Sequence, residues 1–156
     1  MAGTYTVERS ITIAAPPEAV YPHLASFHRW QAWSPWEGRH PQQERRYSGP
    51  EAGVGARYAW SGNRAVGQGS MEIVDAAEPS TVGIDLRFDK PFKSRNDTRF
   101  TVAPDGSGSR VVWTMTGEHN LLTKVLGLVW PMDKMIGKDF DQGLAQLKAT
   151  VENATT

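Results

Sequence analysis

Glu118-His119 is the one place in the chain where a carboxylate residue adjoins an imidazole. Such a pair moves a proton only if both groups reach the same reacting atom, and successive residues of a strand point to opposite faces. Glu118 and His119 therefore stand as acid–base candidates with strand geometry against them. The remaining histidines, His23, His28 and His40, are scattered, and no His-x-x-x-His or His-x-x-Glu spacing sets two metal ligands on one helix face. There is no cysteine, which excludes a disulfide framework, a thiolate nucleophile and every Cys-based metal site. No Gly-x-Ser-x-Gly elbow occurs, and Gly53-Val54-Gly55 and Gly67-Gln68-Gly69 sit at strand starts without completing a phosphate-binding fingerprint. Neither a metal nor a cofactor is expected. What the chain concentrates instead is apolar surface, including six tryptophans and five methionines.

The 156 residues suit one domain, 1–156, large enough to bury a core without staples. Seventeen basic and seventeen acidic residues cancel, which argues against a nucleic-acid partner or an anionic membrane surface, although a local basic patch would be hidden in that average. Met1-Ala2-Gly3-Thr4-Tyr5 has neither the basic nor the apolar region of a targeting signal. The longest apolar stretch, 121–132, is too short to span a bilayer and carries Lys124. A cytoplasmic protein without integral membrane association is the expectation. Nothing in the sequence sets its oligomeric state.

The elements follow from periodicity. Residues 4–13 alternate, with Tyr5, Val7, Arg9, Ile11 and Ile13 on one face, as a half-buried strand does. Pro16-Pro17 then signals a helix start, and a short helix to about Phe27 is predicted, followed by a second apolar turn at 30–33. Strand runs near 43–48, 54–61, 65–76, 81–88, 94–103 and 109–118 are separated by intervals too short for crossover helices, which predicts an antiparallel meander. One face of it collects Tyr58, Trp60, Met71, Ile73, Val82, Ile84, Leu86, Phe88, Phe100, Val102, Val111, Trp113 and Met115, while charged residues collect on the other. Charge pairing suggests a register with Phe88 opposite Asn96, Asp85 opposite Arg99 and Arg87 opposite Asp97. Ile136, Phe140, Leu144, Leu147 and Val151 mark a long amphipathic helix over 133–152; the stripe extends back through 121–130, with a kink or break at Pro131. Gly137 and Gly143 beside that stripe mark close approach to the sheet, or space left beside it.

One helix, about 10–12 Å across, does not cover the concavity of seven twisted strands, so a cavity remains unless bulky side chains close it. Tyr58, Trp60, Phe88, Phe100, Trp113, Trp130 and Phe140 are either plain core or the walls of that cavity, with Met71, Met115, Met132 and Met135 as adaptable lining. Trp30, Trp33 and Trp36 fall in a Pro- and Trp-rich segment, 28–40, that is either a lid at the mouth or a hydrophobic plug. Three polar residues on the dry rows are more informative, because buried polar groups must be compensated. Arg9, Asn96 and Thr98 orient a ligand carbonyl or carboxylate if they face the cavity; alternatively Arg9 pairs with an acid. Asp133 is the helix N-cap if Pro131 restarts the helix, and otherwise lies in phase with the apolar stripe.

The run from Val7 to Tyr21 (VERSITIAAPPEAVY), Trp30-Gln31-Ala32-Trp33-Ser34-Pro35, Gly55-Ala56-Arg57-Tyr58-Ala59-Trp60 and the segment from Asp133 through Gly143-Leu144-Ala145-Gln146-Leu147-Lys148 together resemble the START/Bet v 1-like (SRPBCC) superfamily, in its bacterial polyketide cyclase/dehydrase-type group. The resemblance covers essentially the whole chain. It implies an α+β helix-grip fold: a curved seven-stranded antiparallel sheet wrapped around a long C-terminal helix, two short helices between strands 1 and 2, and an apolar cavity. It does not imply one reaction, because fold does not determine chemistry. The reading that follows is binding of a small hydrophobic or amphipathic ligand between sheet and helix, lined by Arg9, Trp33, Tyr58, Trp60, Met71, Phe88, Asn96, Thr98, Trp113, Met115, Trp130, Ile136 and Phe140. The alternatives are a cyclase or dehydratase acting in the same cavity and, more weakly, a protein-interaction module.

Overall fold

The computed structural model describes residues 4–34, 44–61, 68–90, 94–118 and 132–154; for residues 4, 5, 44, 88–90, 94, 118 and 132–136 the description is of backbone alone. Strand β1 (Thr4–Ile13) is followed by helices α1 (Pro17–Leu24) and α2 (Phe27–Trp30). Then come β2 (Glu44–Ser48), β3 (Arg57–Ser61), β4 (Gln68–Ala77), β5 (Thr81–Lys90), β6 (Ser94–Asp105), β7 (Gly108–Glu118) and the long helix α3 (Met132–Ala154). The sheet order is β1-β7-β6-β5-β4-β3-β2, antiparallel throughout, so the first strand closes against the last and the others form the expected meander. This is the helix-grip fold.

α1 stops at Leu24, three residues before the predicted end. Pro22 lies inside it and offers no N–H to the helix ladder, and Ser26 is extended, which separates α1 from α2. The β5–β6 register also departs from the charge-based expectation. Phe88 pairs with Ser94, Leu86 with Asn96, Asp85 with Asp97 and Arg87 with Arg95, two residues away from the predicted alignment. Like charges face each other directly, and the conflict is resolved along the diagonal: Asp85 accepts hydrogen bonds from both Arg87 and Arg95 at 3.0 Å. Arg99 turns to Asp75 at 3.1 Å. The two registers have the same parity, so Val82, Ile84, Leu86 and Phe100 face inward in either and are buried here. Direct charge pairing on the outer face weighs too little to set the alignment.

α3 runs in the same direction as β1. Near its C-terminal end Glu152 accepts the Ala14 N–H at 2.8 Å, and Lys148 donates to the Thr12 carbonyl at 3.0 Å. Farther back, Asp141 meets Arg9 at 3.5 Å. The predicted stripe is the buried face, with Phe140, Leu144, Leu147 and Val151 all at or below 1% exposure. Gly137 permits the close approach: a Cβ there would collide with the Arg9 guanidinium. Asp133 lies within α3, not at a cap preceding it. The 121–130 helix expected from periodicity lies outside the described residues.

Candidate functional site

The inner face of the sheet is built from rows of side chains that cross the strands. One row runs Val82, Phe100, Trp113, Arg9 from β5 to β1. It is filled. Trp113 stacks on Phe140 of α3 at 3.9 Å with 5° between the planes, and on Phe100 at 4.8 Å. Trp33 and Trp30 meet both Trp113 and Phe100 edge-on, at 5.7–6.4 Å. Their indole N–H groups are satisfied by chain carbonyls: Trp30 donates to Leu24 and Trp33 to His23, each at 3.0 Å. The Trp33 carbonyl in turn accepts from Gln146 of α3 at 2.7 Å. Trp30 and Trp33 are thus a plug that joins α1, α2, sheet and helix, and the lid alternative does not apply to them. Trp36 lies outside the described residues.

The neighbouring rows differ. One runs Ile73, Ile84, Thr98, Met115, Val7; the next runs Tyr58, Met71, Leu86, Asn96, Gly117. All ten residues are buried. Thr98 is 3% exposed and Asn96 4%, and the Thr98 hydroxyl has no hydrogen-bond partner among the described residues. A buried hydroxyl in that state costs about 1–3 kcal/mol. Because α3 runs in the same direction as β1, its first turns point from the Trp113 row toward these two rows. Trp60, at the far edge, lies over Gly69: a Cβ on that glycine would meet the indole at 2.6 Å. Glycine here gives the ring a flat seat in place of a side chain.

Among the residues read from sequence as lining, Tyr58, Met71, Asn96, Thr98 and Met115 are therefore brought together in two adjacent rows. Trp33, Trp113 and Phe140 belong to the aromatic cluster beside them. Arg9 stands at the sheet edge and pairs with Asp141 at its seam with α3. His119 and Trp130 lie outside the described residues, and for Phe88, Glu118 and Ile136 no side-chain placement is described. Ile84 and Leu86 complete the rows; alternation places them on the dry face without marking them as lining. Tyr47 was not singled out, because one apolar residue in a five-residue strand shows no period; it packs on Tyr58 at 5.2 Å and on His28 at 4.0 Å. Among the described residues of the inner face there is no carboxylate and no imidazole. The pKa of His23, whose carbonyl accepts from Trp33, is held below its ordinary value of 6.5 by burial and by Arg29.

Two clefts open at the β2–β3 end of the sheet. A small one of about 180 Å³ is framed by Phe27, His28, Tyr47 and Pro50. A larger groove of about 780 Å³ lies over β2–β5, lined by Arg46, Arg57, Ala59, Ser70, Glu72 and Arg87 among others.

A sheet gripping one long helix, with a buried polar pair among apolar rows of its inner face, defines a helix-grip protein. Residues 4–152 match the family described as polyketide cyclase/dehydrase and lipid transport, and the chain belongs to that family. No curated protein matches it. Among solved structures it resembles protein CV1439 from Chromobacterium violaceum (19% identity, TM-score 0.68, covering 94% of this chain and 96% of that one). It also resembles SA2116 from Staphylococcus aureus, a protein of unknown function (13%, 0.70, 99% and 97%), and Ara h 8.0201 (12%, 0.65, 97% and 99%). At these identities the likeness is one of fold.

Proposed function

We propose that this protein binds a small hydrophobic or amphipathic molecule against the inner face of the sheet, beside the first turns of α3. The observation that carries the reading is the Thr98 hydroxyl: buried, without a hydrogen-bond partner among the described residues, and flanked by Ile84, Met115 and the Asn96 amide. A ligand carbonyl or hydroxyl would give it a partner, while Tyr58, Met71 and Leu86 take the apolar body by desolvation. Anchors of this kind are neutral, so the molecule they suit is uncharged at its buried end. The family's lipid-transport description supports holding such a molecule.

The test is native mass spectrometry of protein purified from its own host, followed by extraction and identification of the bound molecule. A stoichiometric apolar adduct is expected, reduced about tenfold in occupancy by Thr98→Val, which removes the hydroxyl at nearly constant shape. Folded Thr98→Val protein that retains full occupancy would overturn the anchor, and empty protein in every preparation would overturn the binding reading.

A further inference from the structure

On the opposite face of the sheet, one cross-strand row runs Arg46, Ala59, Ser70, Arg87, Arg95 from β2 to β6. It carries three arginines and no carboxylate. The acids fall in the adjacent row, Ser48, Arg57, Glu72, Asp85, Asp97, where Glu72 is held by Arg57 at 3.1 Å and Asp85 by Arg87 and Arg95. Ala59 and Ser70 are the small residues between Arg46 and Arg87, and they floor the groove of about 780 Å³. Three strand spacings, about 14 Å, separate Arg46 from Arg87, so two extended arginines can converge above Ser70. Arg46 is exposed and forms no side-chain hydrogen bond or ion pair with the described residues.

We propose that this groove is an anion site for a phosphate monoester, received by Arg46 and Arg87, with Arg57 at its side and the Ser70 hydroxyl beneath. Guanidinium forks match phosphate oxygens in bidentate geometry. The groove's lining, with Arg46, Arg57 and Arg87 against Glu72 and Asp85, keeps a net positive charge that the chain's zero balance conceals. The β5–β6 register adds Arg95 beside Arg87, so two guanidinium groups share the single Asp85 carboxylate and leave positive charge at the end of the row. The arginine row is on the other face from the apolar rows, and although Tyr58 and Met71 also border the groove, Thr98 does not, so Thr98→Val and Arg46→Gln test the two sites separately.

Backbone amide shifts of isotope-labelled protein, titrated with inorganic phosphate and glycerol phosphate, test it, with vesicles of phosphatidic acid in phosphatidylcholine as the second arm. Saturable shifts centred on Ala59 and Ser70, weakened about tenfold or more by Arg46→Gln and by Arg87→Gln and reduced by added salt, are expected. Saturation by the soluble ester identifies a free phosphate ester as the source, and response to vesicles alone identifies a lipid headgroup. Arg46→Gln alters an exposed side chain without a partner among the described residues, so its fold is expected to be unchanged. No saturable shift at Ala59 and Ser70 from either source, or shifts that Arg46→Gln leaves intact, would overturn the site.

Discussion

Trp113 and Thr98 lie in adjacent rows of the inner face and are buried for opposite reasons. Trp113 is 1% exposed and has aromatic faces or edges against it from β6, α2, the turn after α2, and α3. It is core. Trp113→Ala is expected to cost roughly 3–5 kcal/mol of folding free energy, read from denaturant unfolding. A loss below about 1 kcal/mol would mean that the ring lines open space. Thr98 contributes no comparable packing, and its hydroxyl carries a desolvation cost. Thr98→Val is therefore expected to leave apo-protein stability unchanged or raise it by about 1 kcal/mol, while weakening the ligand.

The β5–β6 hairpin shows how a strand pair resolves competing demands. Burial alone would raise the Asp85 pKa, but hydrogen bonds and charge from Arg95 and Arg87 outweigh it and hold the carboxyl below its ordinary value of 3.8. A depressed folded pKa means that the stabilisation is present above the unfolded value and disappears as pH falls through the folded one. Asp85→Asn is thus expected to destabilise by about 1 kcal/mol near neutral pH and to be close to neutral once pH is below the folded value. Paired unfolding curves at the two pH values check this; an equal loss at both would mean that the carboxylate's charge plays no part. Each strand's alternation was legible in sequence, because a period of two is local. The register was not, because alignments two residues apart keep the same residues inward and charge pairing could be satisfied diagonally.

Across the molecule, α3 is tied through its C-terminal half to β1, to Ala14 and to the Trp33 carbonyl. The two rows holding Asn96 and Thr98 lie toward its other end. A ligand seated there adds contacts that the unfolded chain lacks, and at a hundredfold excess over Kd it should contribute about 2.7 kcal/mol. For a chain of this size that is a rise in Tm of roughly 5–10 °C. Thermal unfolding with and without the extracted molecule measures it, and Thr98→Val should remove most of the shift. The net charge of zero likewise describes only the whole: the arginine row and the carboxylate row are separated by one step along the strands.

Order and type of elements, the dry and wet faces, and the stripe from Phe140 to Val151 are all legible in the chain, because each depends on residues close in sequence and on a fixed period. The resemblance to the family rested on such local runs as well. Other features needed the folded molecule: that Trp30 and Trp33 plug the space instead of closing over it, that Arg9 meets Asp141, that three arginines share a row. They depend on which residues from distant parts of the chain arrive at one place, and several arrangements satisfy the same local pattern. Thr98 illustrates the difference. Its position on a dry row follows from alternation, but its want of a partner among the described residues is decided only when Ile84, Met115 and the direction of α3 are in place around it.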